Sequence, residues 1–374
     1  MKILFIAHNG HPYGANKSLL SIINHLKKSH QVMLVTPFKN EFINSDNRIV
    51  NINFLFFPTL LYVKIKPKYI LFPMLLLLDF FTFPFLLYKI AKFNPDLIYS
   101  NTSVENTGII SAKILRKKHI THVREFGDLD FGLKCIFGKK FKRWLLSQSD
   151  GLIFNSRIVR DIELPVQYQK TKCQVIYNGI NMMPTSYLCR PMPTNDFINV
   201  GIVGFIHPKK RQLEAVRFMK DLFYQSNFKL LIYGDGEKKY IKKIQDYIHF
   251  NKLECNVSFQ GYVTDIEKIY SEIDILLVFS QNEAFGRVTI EAMQKGIPVV
   301  AYKGGGTIEL IQHNVDGFLF ETAKEFQYYM NLLTSNANTY QDISKKAIDK
   351  VNSHFSEESY VNNIEYFVKD ILLT

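Results

Sequence analysis

Two nearly unbroken apolar runs, KILFIAH (2–8) and FINVGIVG (197–204), each lead through a loop into an amphipathic stretch, and each starts a series. Runs that are apolar on consecutive residues mark strands covered on both faces, which is the situation of a parallel sheet flanked by helices. After the first run come the loop NGHPYGAN (9–16), the helical stretch KSLLSIINHLKK (17–28) and a second strand, QVMLVTP (31–37), which together form a βαβ unit. Strands are predicted again at 96–101, 119–125, 151–156 and 173–179, with helices over 105–117 and 138–148. The segment MMPTSYLCRPMPTND (182–196) carries three prolines and no periodicity, as linkers do. The alternation then restarts: a helix over 211–223 and strands at 228–234, 255–261, 273–280, 297–302 and 317–320.

A chain of 374 residues with 47% hydrophobic and 21% charged residues can fill two cores. The predicted architecture is α/β, with two doubly wound, Rossmann-like parallel sheets facing each other across a cleft. Its ligands would lie outside the carboxyl ends of the strands. The expected first domain is 1–182, the linker 183–196 and the second domain 197–352. A C-terminal helix (353–374), acidic in its first turn, is expected to pack back on the first domain. The four cysteines are scattered without a C-x-x-C pair and read as idle thiols of a reducing compartment. MKILFIAHNG is apolar too briefly for a signal peptide and reads as the first strand.

The net charge of +12 is lopsided. Residues 1–180 hold 25 Lys/Arg against 11 Asp/Glu, and 181–374 hold 21 against 23. The excess clusters in KIKPK (64–68), RKKH (116–119) and KKFKR (139–143). No nucleic-acid-binding module accompanies these clusters, so nucleic acid is not the expected partner. The same half contains YILFPMLLLLDFFTFPFLLY (69–88), and the combination points to an anionic membrane surface. Asp79, Pro73 and Pro84 argue against a span across the bilayer. A crossover helix of the fold is the first reading of this stretch and an interfacial helix dipping into the membrane the second.

The chemistry concentrates in IDILLVFSQNEAFGRVTIEAMQKGIPVVAY (273–302). A strand ends near Ser280, a loop carries Glu283, Ala284, Phe285 and Gly286, and a helix runs from Arg287 to Lys295 with Gly296 and Pro298 beyond it. Glu291 lies little more than one turn into that helix, so both carboxylates face one sheet edge. Gly286 opens the backbone at a helix N-terminus, where anions are favoured. Two carboxylates with a phosphate-friendly backbone between them suit a ligand that combines hydroxyls and phosphates, such as a nucleoside diphosphate sugar. KGGGTIEL (303–310) is expected to bring a second glycine loop and helix start to the same edge. GFIHPKK (204–210) would deliver Lys209 and Lys210 there, where a cation neutralises a departing diphosphate. DLD (128–130) lacks the surroundings of a D-x-D metal site, and no metal is expected.

These motifs, in order VGFIHPKK, LIYGDGE, EAFGRVTIEAMQKGIPVVA and GGGTIELI…DGFLF, resemble those of the retaining GT-B glycosyltransferases of family 4. YGANKSLL, IFNS and VIYNGIN resemble that family more loosely in the first half. The resemblance implies metal-independent transfer of a sugar from a UDP- or GDP-linked donor with retained anomeric configuration and no cofactor. It implies that Glu283 contacts donor-sugar hydroxyls and Glu291 the ribose, while Lys209, Lys210 and the backbone of Gly204, Ala284, Phe285, Gly286, Arg287 and Val288 hold the diphosphate. Gly14 would approach from the other domain. The family's arginine beside the lysine is Phe205 here, with Arg287 or Lys209 as candidate replacements. The family's acceptor-side histidine has Arg124 in its place, with His122 nearby. Glu283, Lys210 and Arg124 are the expected catalytic residues.

The expected activity is hexosyl transfer to a lipid-linked intermediate of a cell-surface polysaccharide, by a cytoplasmic protein peripheral on the inner face of the plasma membrane. A soluble transferase acting on a small acceptor and a non-catalytic scaffold that binds nucleotide sugars are the alternatives.

Overall fold

A computed structural model of the protein describes residues 1–9, 14–37, 49–54, 62–64, 68–129, 133–135, 137–164, 171–182, 191–193, 197–225 and 227–374. The chain forms two compact units, Met1–Gly179 with Glu357–Thr374, and Ile180–Ser356. Most of the expected linker, 183–196, lies outside the described residues.

The first unit contains β1 (Lys2–Ile6), α1 (Gly14–Leu26), β2 (Gln31–Pro37), β3 (Ile49–Phe54), β4 (Tyr62–Lys64), α2 (Lys68–Phe93), β5 (Leu97–Ser100) and α3 (Thr107–Leu115). It continues with β6 (Lys118–Val123), β7 (Leu133–Cys135), α4 (Gly138–Leu146), β8 (Gly151–Phe154), α5 (Arg157–Glu163) and β9 (Lys172–Val175). Seven strands pair in parallel in the order β3-β2-β1-β5-β6-β8-β9, and β4 and β7 form a separate antiparallel pair. Successive residues of β1 point to opposite faces. Ile3 and Phe5 join a core with Leu19 and Ile22 of α1, whereas Leu4 and Ile6 join one with Leu86 and Ile90 of α2. Each face has its own helical cover, which is why the run has no polar alternation.

Glu357–Leu373 is a helix of this unit, numbered α13 below; Tyr360, Ile364 and Phe367 on it complete the core beside Ile3 and Phe5. Polar ties reinforce the docking. Ser21 donates to Glu357, the His25 ring meets Glu365 at 2.6 Å, and Lys172 meets Asp370 at 2.5 Å.

Helix α2 spans the apolar stretch in 26 residues, with side chains described from Phe80 onward. Leu86 and Ile90 seal the sheet, while Phe80, Phe81, Phe85 and Tyr88 are exposed. Among the described residues no helix is long and apolar enough to cross a membrane. The basic cluster 139–143 is less available than its sequence suggests. Lys142 is buried in an ion pair with Glu163, Arg143 donates to the carbonyl of Ile162 at 3.0 Å, and Lys139 pairs with Asp128 at 2.9 Å. Asp130, the second carboxylate of the DLD triplet, lies outside the described residues.

The second unit contains β10 (Ile198–Val203), α6 (Gln212–Gln225), β11 (Phe228–Tyr233), α7 (Lys238–Phe250), β12 (Val257–Gly261), α8 (Ile266–Glu272) and β13 (Ile275–Val278). Then follow α9 (Arg287–Gln294), β14 (Val299–Tyr302), α10 (Thr307–Leu310), β15 (Phe318–Phe320), α11 (Ala323–Ser335) and α12 (Ala337–His354). Its six parallel strands run β12-β11-β10-β13-β14-β15, and the order reverses beside β10. Open α/β sheets bind ligands at such a switch point. The loops after β10 and β13, which carry the motifs, therefore sit side by side at the carboxyl edge.

Candidate active site

The loop after β10 begins at Gly204, whose φ of +137° suits glycine alone, and an added Cβ there would meet nothing. Phe205 follows, exposed, with its ring stacked on His207 at 6.2 Å between centroids. A short 3-10 turn, Pro208–Lys210, is capped by His207, which accepts from the amide of Lys209. The turn carries Lys210 to the loop after β13, where its Nζ lies 2.6 Å from Glu283 Oε2. Lys209 is exposed and has no ion-pair partner among the described residues.

After β13 the backbone passes Glu283 and buries Ala284 and Phe285, whose ring meets that of Phe355 edge-on. It turns at Gly286, where φ is +97°. Gly286 is the N-cap of α9, which begins at Arg287, and the Thr289 amide donates to the Gly286 carbonyl at 2.9 Å. Arg287 Nε donates to Glu291 Oε1 at 2.7 Å, one helical turn on. The other oxygen, Oε2, accepts from the hydroxyl of Tyr270 on α8 at 3.0 Å. Burial, and then the Glu291 charge, hold that hydroxyl well above its ordinary pKa, so it remains a donor.

Lys210, Glu283, Gly286, Arg287 and Glu291 thus form one continuous constellation around the start of α9. The triple-glycine loop serves it differently from the expectation. A Cβ on Gly304 would lie 2.6 Å from the Gln281 carbonyl oxygen, one on Gly305 2.5 Å from Glu283 N and O, and one on Gly306 2.6 Å from the Ala284 carbonyl oxygen. The Gly306 amide donates to the Glu283 carbonyl at 2.5 Å. These glycines let one loop lie on the backbone of the other and brace Glu283. The helix after them, α10, is a single turn, so the expected second helix start amounts to very little.

Of the candidates to replace the family's arginine, Arg287 is engaged with Glu291 and Lys209 is exposed. Arg211 is held over the Tyr302 ring at 5.0 Å.

Gly14 and Arg124 belong to the first unit. Gly14 opens α1, and a Cβ there would meet nothing within 4 Å. Arg124, just after β6, is only 6% exposed. Its guanidinium donates to Asn101 Oδ1 at 2.9 Å, Asn178 Oδ1 at 2.7 Å and Tyr360 Oη at 2.9 Å. The group ties two strand ends to α13. His122 is fully buried, its Nδ1 2.6 Å from the Tyr99 hydroxyl, and burial holds its pKa well below the ordinary imidazole value.

Two residues outside the expected set complete the picture. Tyr270 holds Glu291, and nothing in IEKIYSE marks it. Gln294, at the end of α9, donates to the Asn181 carbonyl at 2.5 Å and anchors the helix.

The chain is similar to known proteins in sequence and in fold. Residues 194–350 match the family Glycosyl transferases group 1, and residues 12–182 match Glycosyltransferase Family 4. An uncharacterized glycosyltransferase of Methanocaldococcus jannaschii is 26% identical over 279 residues, 73% of this chain and 70% of the relative. The N-acetyl-alpha-D-glucosaminyl L-malate synthase of Bacillus anthracis is 29% identical over 167 residues, 44% of this chain and 43% of the synthase. Among solved structures, Anabaena HepE in complex with UDP and glucose superposes with a TM-score of 0.78 at 23% identity, covering 99% of both chains.

Proposed function

We propose that this chain, which belongs to the glycosyl transferases of group 1 and family 4 and is a glycosyltransferase, moves a hexose from a UDP- or GDP-linked donor to a lipid-linked polysaccharide intermediate, with retention and without a metal. The observation that carries the reading is the constellation Lys210–Glu283–Gly286–Arg287–Glu291 at the switch point of the second unit. UDP in the HepE structures supports a nucleotide ligand for this fold.

In the proposed reaction Glu291 accepts ribose hydroxyls, Lys210 and the amides opening α9 take the diphosphate, and Glu283 takes hexose hydroxyls. The bond from the sugar's anomeric carbon to the β-phosphate oxygen breaks. The acceptor oxygen bonds to that carbon on the same face, and its proton passes to the departing phosphate oxygen. Lys210 stabilises the charge that develops there. The buried Arg124 holds the acceptor-side strand ends in place rather than touching the reacting atoms. The basic, apolar first half supports an acceptor held at the inner face of an anionic membrane.

A transferase acting on a small soluble acceptor is the second reading. It is favoured by the pairing of Lys139, Lys142 and Arg143 within the fold, and by the small acceptor in the malate synthase's name. Calorimetry in metal-free buffer with UDP, GDP and ADP, against Glu291→Ala, tests the donor. Binding of one nucleotide that the substitution removes is expected; binding indifferent to Glu291 would sink the reading. Flotation with anionic vesicles separates the two acceptor classes.

A further inference from the structure

We propose that Tyr270 is a positioning residue that sets Glu291 as a two-point acceptor for a ribose diol, so that the site selects ribonucleotides over their deoxy forms. The proposal rests on the reading of Glu291 as the ribose acceptor. Tyr270 is 1% exposed, and its hydroxyl reaches Glu291 Oε2 at 3.0 Å and the Val288 carbonyl at 3.3 Å. Both are acceptors on α9, so the hydroxyl donates its one proton toward that helix, with the Glu291 carboxylate the nearer partner. Arg287 Nε occupies the other carboxylate oxygen at 2.7 Å. Each oxygen of an ionised carboxylate offers about two lone-pair directions, so each keeps one for a ligand hydroxyl. Two adjacent acceptors, fixed in plane by donors from two different helices, match the two hydroxyls of a vicinal diol.

The helix that carries Tyr270 is itself pinned. Glu272 accepts from the Tyr233 hydroxyl of β11 at 2.5 Å, and Glu267 pairs with Lys295 just beyond α9. The ring is packed on all sides, so Tyr270→Phe removes one hydrogen-bond donor and leaves the packing in place. Without it, Glu291 is held on one side only and can turn about its last torsion. Sites built to hydrogen-bond a hydroxyl reject analogues that lack it. The loss therefore falls on ligands that have the diol and spares those that do not.

The test is isothermal titration of the full chain with UDP and GDP and with their 2′-deoxy and 3′-deoxy forms, in the wild type, Tyr270→Phe and Glu291→Ala. A hydrogen bond to a charged group corresponds to about tenfold or more in affinity, so the wild type should prefer the ribonucleotide by at least that ratio. Tyr270→Phe should cut the ratio several-fold while binding of the deoxy forms barely changes. Equal weakening of ribo and deoxy ligands would make Tyr270 a packing residue and overturn the proposal. Lys295→Met loosens the same helix from its other end. It should lower Tm and leave the ratio alone, and a ratio eroded as far as in Tyr270→Phe would also overturn the proposal. Glu291→Ala should bring the ratio to about one. A preserved ratio in that variant, or a wild type that binds neither nucleotide, would instead refute the ribose reading itself.

Discussion

Lys210 Nζ and Glu283 Oε2, 73 residues apart in sequence, lie 2.6 Å apart and are each other's counter-ion in this structure. The proposed roles set them against each other, since a diphosphate drawn to Lys210 competes with the Glu283 carboxylate. Trading one partner for the other would release Glu283 for the sugar only once the diphosphate is seated. Glu283→Gln removes the competing charge and keeps the shape. The pair is partly exposed and worth about 1 kcal/mol, so UDP or GDP should bind the variant about fivefold more tightly. Transfer should fall by about a hundredfold or more, because the sugar loses a charged acceptor. Weaker nucleotide binding in calorimetry would show that the carboxylate organises Lys210 rather than competing for it.

Gly305 combines a φ of +55° with a Cβ position 2.5 Å from two backbone atoms of Glu283. Gly305→Ala must therefore push the loop bearing Glu283 away, and backbone cannot yield as a side-chain tip can. A destabilisation of about 2–3 kcal/mol is expected from the left-handed conformation and the displaced contact together. It should appear as a lower urea midpoint, accompanied by loss of transfer. Gly14→Ala is the contrast: nothing surrounds that position and it opens a helix, so stability should hold or rise slightly.

The strands were legible because both faces of each sheet are covered, which leaves continuous apolar runs that no other arrangement needs. The carboxylates and glycines after β13 were legible because an eight-residue spacing across one loop and one helical turn is local geometry. What could not be read is long-range. Arg124 donates to Tyr360 across 236 residues, a tie that neither segment announces. Gly304, Gly305 and Gly306 meet the backbone of 281–284 rather than a ligand, since a glycine's meaning depends on what lies over it. The charge of Lys142 was visible, but its burial against Glu163 was not. The edge strand β3 and the helices α7, α11 and α12 went unnamed, having neither a motif nor a long apolar run to announce them.

His119 makes the first unit sensitive to acid. It is 1% exposed, its Nε2 lies 3.0 Å from Ser100 Oγ and its Nδ1 3.1 Å from Ser149 Oγ, and burial lowers its pKa from 6.5 to about 3. The folded pKa is depressed, so below 6.5 the unfolded chain takes up a proton that the folded chain refuses. Stability is complete above about pH 6.5 and falls by about 1.4 kcal/mol per pH unit toward 3. Glu105 also bonds Ser100, and burial pushes its carboxyl up, so its contribution runs the opposite way. The comparison that isolates the imidazole is His119→Gln. The variant should be less stable at pH 7.5, yet lose about 2 kcal/mol less than the wild type on going to pH 5. Parallel urea curves for the two proteins at both pH values would assign the acid sensitivity elsewhere.

The basic segment of α4 divides into charges that serve the fold and charges that do not. Lys142 and Glu163 are both nearly inaccessible and ion-paired, and burial pushes the Glu163 carboxyl up, with Lys142 the main opposing influence. Removing one partner leaves a buried charge without compensation, so Lys142→Ala should destabilise the first unit by about 3 kcal/mol. Lys139 and Lys140 are exposed beside Phe137 and Trp144, which are exposed as well, and among the described residues Lys139 pairs with Asp128. Substituting both with Gln should leave Tm within a degree or two, since surface pairs contribute little. Each basic residue near an anionic bilayer contributes about 1 kcal/mol, so the double substitution should weaken vesicle binding by roughly 30-fold. Flotation with phosphatidylserine vesicles at two salt concentrations measures it. Unchanged flotation together with intact transfer to a soluble acceptor would move the enzyme off the membrane and favour the second reading of its function.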